Sequence, residues 1–188
     1  MSKYSGANIS EIISSAKHLK KINFPKRLWL KDASLWKDDI NHKTMIENFL
    51  GWLDIPYKMR DKVGEIEQFA KEVSSFSHAV LLGMGGSSLA PKVFSSIFQK
   101  AKNPKLIVLD TIDPAQIETV TNSINIKKTL FIFSSKSGGT IEPNSQFKHF
   151  FNLLLKNKIE NPGSHFVALA RQDKPREMDL SRSSVSFM

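Results

Sequence analysis

Residues 134–143 read Ser134-Ser135-Lys136-Ser137-Gly138-Gly139-Thr140-Ile141-Glu142-Pro143, and they follow directly on the apolar run 130–133. Four hydroxyls, one ammonium and two glycines thus crowd the end of a strand where a helix is about to start. Such a loop can give a dianionic phosphate several charge-assisted hydrogen bonds, each worth about 1.5 to 3 kcal/mol. Ser and Thr also favour helix starts on their own account, so a capped helix behind a polar loop is the plainer reading. The lysine weighs against it.

A second segment has related chemistry. Leu82-Gly83-Met84-Gly85-Gly86-Ser87-Ser88-Leu89-Ala90-Pro91 is a glycine-rich turn running into a helix. Its glycines let the backbone approach a ligand, and the N–H groups and dipole of the helix start favour an anion. Ser87 and Ser88 can cap that helix or donate a hydroxyl. Alone the turn is a weak signal, because a serine-capped strand-to-helix connection has the same composition. A Walker loop requires GxxxxGK[ST], which neither turn contains. A dinucleotide site is closer: Gly83-Met84-Gly85-Gly86-Ser87-Ser88 matches GxGxx, and Asp110 ends the next strand where a ribose-binding carboxylate would sit. Ser88 replaces its third glycine, and the 135–140 loop would have no role in it.

The elements that position these loops are legible in the apolar pattern. Strands are expected at 78–84, 105–110, 129–134 and 165–170, each short and rich in Val, Ile, Leu and Phe. Between them, Leu89, Val93, Phe94, Ile97 and Phe98 form one apolar helix face, Ile117, Val120 and Ile124 a second, and Phe147, Phe150, Phe151 and Leu154 a third. Asp113-Pro114 and Glu142-Pro143 mark helix starts, where the missing proline N–H costs nothing. Strand and helix alternating at this spacing predict an α/β fold, a doubly wound parallel sheet with right-handed crossovers. Ligands then bind at the carboxyl ends of the strands, where both unusual loops fall. Upstream the pattern is helical, with Val63, Ile66, Phe69, Ala70, Val73 and Phe76 on one face. Trp29, Trp36 and Trp52 are expected to be buried where they anchor that layer on the main domain. The organisation expected is an N-terminal helical segment (1–76), an α/β domain (77–170) and a poorly ordered tail (171–188), the last holding charged residues and serines without apolar periodicity.

Composition narrows the function classes. The chain of 188 residues lacks cysteine, which excludes disulfides, thiol nucleophiles and thiolate-held metals. His18, His42, His78, His149 and His165 have no metal-type spacing, so no metal is expected. A net charge of +9 admits an acidic partner, but the lysines are dispersed and no nucleic-acid-binding signature accompanies them. An anionic small molecule accounts for part of the surplus. No apolar run approaches a bilayer span and the amino terminus lacks a secretory pattern, which points to the cytoplasm.

Taken together, Gly83–Pro91, Val108-Leu109-Asp110-Thr111-Ile112-Asp113-Pro114 and Ser134–Pro143 resemble the first sugar isomerase (SIS) domain of the glucose-6-phosphate isomerase family. The Ser-Gly-Gly-Thr variant, with Trp36-Lys37 and Leu50-Gly51-Trp52-Leu53 upstream, is most similar to the isomerase part of bifunctional transaldolase/glucose-6-phosphate isomerase chains. The resemblance covers residues 27–169. It implies a SIS-type, flavodoxin-like sheet, aldose–ketose isomerisation of glucose 6-phosphate and fructose 6-phosphate in glycolysis and gluconeogenesis, and no cofactor. It further implies that Gly86 and Ser87 contact the sugar phosphate while Ser135, Lys136, Ser137 and Thr140 cradle its phosphate; Glu142 is a further candidate.

In the family the enediol-forming glutamate, the ring-opening histidine and a further lysine and arginine come from a second SIS domain and the carboxyl-terminal segment. No catalytic residue is therefore expected in this chain, and its expected partner, beside the substrate, is that second domain or another copy of the chain. After Leu169 the family continues with a Thr-Asp-Pro-Gly type segment, whereas this chain reads Ala170-Arg171-Gln172-Asp173-Lys174-Pro175. Two other classes are weighed beside the isomerase: a non-catalytic sugar-phosphate-binding module on the same fold, and a nicotinamide-dependent oxidoreductase.

Overall fold

A computed structural model describes residues 8–98 and 104–170, together with the backbone of Ser186–Phe187. Two compact units divide the chain, Met1–Ile66 and Glu67–Met188.

Short helices make up the first unit: α1 (Ile9–Lys21), α2 (Phe24–Trp29), α3 (Ile40–Phe49), α4 (Ile55–Asp61) and the start of α5 (Val63–Glu72). Local polar contacts set the joints. Asp39 caps α3 by accepting the His42 N–H. Arg27 donates from Nε to Asp32 at 2.6 Å and from Nη2 to Ser34 at 2.7 Å. The hydrogen bond from Arg27, helped by Ser34, holds the Asp32 carboxyl down at about 2. The expected anchoring by tryptophan is corrected here. Trp29, Trp36 and Trp52 are 63%, 46% and 59% exposed, and burial falls instead on Ala33, Leu50 and Leu53. The physical reason is visible at Trp52, which lies in the 3-10 turn Leu50–Leu53. Residues three apart eclipse one another in such a turn, so the two leucines share its inner side and Trp52 points away.

The second unit is built on a parallel sheet. Its elements are β1 (His78–Gly83), α6 (Gly86–Ile97), β2 (Lys105–Leu109), α7 (Pro114–Ser123), β3 (Thr129–Ser135), α8 (Ile141–Lys156), β4 (Phe166–Ala170) and β5 (Ser186–Phe187). The strand order is β2-β1-β3-β4-β5, with every pairing parallel. This is the flavodoxin-like order, and the chain reverses direction across the sheet between β1 and β3. Of the tail, residues 171–185 and Met188 lie outside the described residues. At 186–187 the chain is a strand, registering Val167 with Ser186 and Ala168 with Phe187.

Right-handed crossovers put α6 on one face, and α7 and α8 on the other. The core lies on the second face. Alternate residues Val80 and Leu82, Phe131 and Phe133, and Phe166 and Ala168 meet Phe147, Phe150 and Leu154 of α8, with Ile117 and Val120 of α7 at the margin. Its aromatic rings are in contact, Phe131 stacking on Phe150 at 4.6 Å and on Phe166 at 5.1 Å.

Leu89, Val93, Phe94, Ile97 and Phe98, the apolar face expected of α6, are each more than half exposed. Ser88 is its buried residue, and Pro91 and Ser95, at helical spacing from Ser88, are half-buried. Among the described residues no helix is long and apolar enough to cross a membrane.

Candidate functional site

The two chemistry-bearing loops start side by side. Gly83, the last residue of β1, registers with Ser134 of β3. The strands approach so closely there that a Cβ on Gly83 would lie 3.2 Å from the Ser134 carbonyl oxygen. Only glycine fits this contact without displacing the backbone of the neighbouring loop. From this pair the chain enters Met84–Gly86 on one side and Ser135–Thr140 on the other, both at the carboxyl edge of the sheet.

The second loop is curled by its own hydroxyls. Ser135 Oγ and Ser137 Oγ lie 3.3 and 3.2 Å from Thr140 Oγ1. Gly138 N–H donates to Ser135 Oγ at 3.1 Å and Gly139 N–H to Ser137 Oγ at 3.3 Å. Closing so tight a turn requires a left-handed residue, which Gly138 supplies with φ +73°. Asn144, one helical turn past Thr140, donates its amide to the carbonyls of Gly138 and Thr140 at 3.0 and 2.8 Å. Those carbonyls are thereby drawn toward the helix. The arrangement brings together Ser135, Ser137 and Thr140, as the sequence suggested. Ser135 is buried, and Lys136 and Ser137 are exposed on the rim. Glu142 is half-buried in the first turn of α8.

The first loop reaches the same edge. Gly86 and Ser87 open α6 after Gly85, whose φ is +55°. Ser88 does not cap the helix by accepting an N–H; its hydroxyl donates back to the Gly85 carbonyl at 2.9 Å. Helices α6 and α8 therefore both start without a side-chain cap, whereas Asp113 caps α7 by accepting the Gln116 N–H at 3.0 Å. Uncapped first-turn N–H groups and the positive end of the helix dipole are suited to an external anion. Asp110, the ribose-type carboxylate of the dinucleotide reading, is engaged with Lys92 of α6 at 2.9 Å. Strand order also separates this sheet from the dinucleotide-binding arrangement, which places β2 between β1 and β3.

Sequence reasoning missed Asn144 and Gln146. Asn144 was findable from its four-residue spacing to Thr140 on one helix face. Gln146 is the one glutamine on an otherwise apolar stripe of Pro143, Phe147, Phe150 and Leu154, and it is fully buried. Among the described residues no three His, Asp or Glu side chains form a group that could hold a metal ion.

Fold and site define a class: a flavodoxin-like α/β unit whose carboxyl-edge loops gather the hydroxyls of Ser135, Ser137 and Thr140 beside an exposed Lys136. Residues 53–184 match the family described as Phosphoglucose isomerase. The chain belongs to that family. Among its relatives, the glucose-6-phosphate isomerase of Borreliella burgdorferi (strain ZS7) is 33% identical over 152 residues, 77% of this chain and 29% of that protein. The glucose-6-phosphate isomerase of Carboxydothermus hydrogenoformans is 30% identical, over 71% of this chain and 31% of that protein. The chain thus spans under a third of either relative's length.

Solved structures agree in fold. A hypothetical protein of Thermus thermophilus superposes with a TM-score of 0.73 at 23% identity, covering 95% of this chain and 40% of that one. A glucose-6-phosphate isomerase from Chlamydia trachomatis superposes with a TM-score of 0.60 at 24% identity, covering 85% of this chain and 30% of that one.

Proposed function

We propose that this chain is the sugar-phosphate-holding part of a glucose-6-phosphate isomerase. The observation that carries the reading is the ring of Ser135, Ser137 and Thr140 hydroxyls at the uncapped start of α8, beginning one residue past the Gly83–Ser134 pair. The phosphate of a hexose 6-phosphate would take the place of the hydroxyls' mutual bonds. Lys136 would add charge, and the backbone at Gly86 and Ser87 would close the other side. Glu142 lies close enough in sequence to bias the α8 dipole, and its negative charge favours that helix end. The setting proposed with this reading is the cytoplasm.

Isomerisation of an aldose to a ketose moves a proton between neighbouring carbons through an enediol, which is general acid–base chemistry. Anchoring a remote phosphate contributes to it by fixing the reacting carbons against the base. The base itself would come from a second domain of the same kind or from another copy of the chain. Isothermal calorimetry on the 188-residue chain tests the reading. Glucose 6-phosphate and inorganic phosphate are expected to bind and glucose is not. Lys136→Ala is expected to weaken binding at least tenfold, the equivalent of one charge-assisted bond of about 1.5 kcal/mol or more. In a coupled assay the chain alone is expected to turn over negligibly. Equal affinity for glucose and its phosphate, or no effect of Lys136→Ala, overturns the assignment.

A further inference from the structure

Gln146 sits on α8 at a position the helix otherwise gives to apolar side chains, and none of its surface is exposed. Its amide nitrogen donates twice, to the carbonyl of Leu109 at 3.1 Å and to that of Thr111 at 2.8 Å. Leu109 is the last residue of β2 to pair with β1, opposite Leu82. Thr111 lies beyond that ladder. The glutamine amide therefore takes over as partner where β1 has turned away into its glycine loop. Both donors are committed to carbonyls, which fixes the orientation of the amide and turns Oε1 into the core. There Oε1 has no hydrogen-bond partner among the described residues.

Burying a glutamine among apolar side chains costs polar hydration and side-chain entropy. What the two donors do must outweigh it. They tie the turn after β2 to the helix that begins at the Ser135–Thr140 loop. On the opposite face of the sheet the same turn meets α6 through the solvent-facing ion pair of Lys92 with Asp110 at 2.9 Å. Helix α6 in turn begins at the Gly85–Ser87 loop. The turn at 110–113 is thus the piece to which both anion-facing helices are fastened, and it is stiffened by the bond from Asp113 N–H to Thr111 Oγ1 at 3.0 Å.

We propose that Gln146 is a positioning residue for the sugar-phosphate cup: through the 110–113 turn and Lys92 it fixes the α8 loop relative to the α6 loop. This rests on the phosphate reading of those loops, and it adds a residue that touches no ligand. It makes the third turn of the carboxyl edge part of the site, although that turn carries no phosphate-type motif.

The test uses the 188-residue chain, glucose 6-phosphate as the probe, and two variants. Gln146→Met keeps length and apolar fit and removes both donors. It is expected to bind the probe about tenfold more weakly. Its amide hydrogen exchange is expected to accelerate at Asp113 and Gly138 while the β1 and β3 amides stay protected. Gln146→Glu restores one donor only when its carboxyl is protonated. Its affinity relative to the unaltered chain, compared at each pH, is therefore expected to recover in part in mild acid and to fall as pH rises. A general loss of packing would give no such profile. Unchanged affinity and unchanged exchange in Gln146→Met overturn the proposal, as does exchange that rises uniformly over the sheet. Should the unaltered chain fail to bind the probe, the phosphate reading falls and the exchange data decide the coupling by themselves.

Discussion

Helices α6 and α8 leave the sheet from neighbouring strands, each starting at a candidate anion loop, yet they face the sheet in opposite senses. Helix α8 turns Pro143, Gln146, Phe147, Phe150 and Leu154 inward, the expected apolar stripe at three- and four-residue steps with one glutamine set into it. Helix α6 turns Ser88, Pro91 and Ser95 inward, and leaves Phe94 and Phe98 54% and 64% exposed. Both have a clear apolar face, so periodicity alone does not say which face meets the helix's own sheet. In α6 the sheet-facing side carries Ser88, whose Oγ donates to the Gly85 carbonyl, and Lys92 reaches Asp110 further along.

The largest expected effect separates the two helices energetically. Phe150 is fully buried against Phe131, so Phe150→Ala is expected to cost about 3 to 5 kcal/mol in urea unfolding followed by circular dichroism. Phe94→Ser on α6 is expected to change stability by no more than about 0.5 kcal/mol, because it removes an already solvated ring. Similar losses for both would mean that the α6 face is packed after all, and the comparison would break.

The loops should behave alike where the helices do not. Gly85 and Gly138 both have positive φ and open space around a would-be Cβ, so alanine meets only backbone strain at either place. Gly138→Ala is expected to cost about 1 kcal/mol in the same unfolding experiment, and Gly85→Ala, at φ +55° and ψ −124°, about 1 to 3 kcal/mol. No loss at either would show that its turn relaxes around the new side chain and does not support its helix.

Much of this was legible in the sequence, for reasons that differ by element. The four expected strands stand where the apolar runs put them, since a strand buried on both faces reads as a short continuous block. The hydroxyl loop was legible because its contacts are local: every bond that curls Ser135–Thr140 spans five residues or fewer. What escaped was long-range or rotational. Gln146 reaches carbonyls 37 and 35 residues away in sequence, a pairing that no periodicity encodes. The outward face of α6 was not legible because amphipathic spacing is the same whichever side meets the sheet. Trp29, Trp36 and Trp52 looked like anchors by size, but the short turns of the helical unit hide smaller residues. Ser186–Phe187 was missed because two residues carry no pattern.

The smallest effect concerns the outward side of α8. His149 stands on that side with its ring edge-on to Phe150 at 4.9 Å, and it lines a groove with Ile117, Glu118 and Leu153. Partial burial, and then the charge of Lys156, push its pKa below the ordinary 6.5. The folded state therefore prefers the neutral ring while the unfolded chain takes up a proton more readily. Stability from this source is fully present above about 6.5 and is lost as pH falls through 6.5 toward the depressed folded value. His149→Gln is expected to flatten that slope between pH 7 and 5 without altering stability at pH 8, as followed by urea midpoints at each pH. The phenylalanines on the outward face of α6 carry no such group, so Phe94→Ser should leave the slope as it is. If the slope survives His149→Gln and vanishes in Phe94→Ser, the acid sensitivity belongs to α6, and the contrast between the two helices would have to be redrawn.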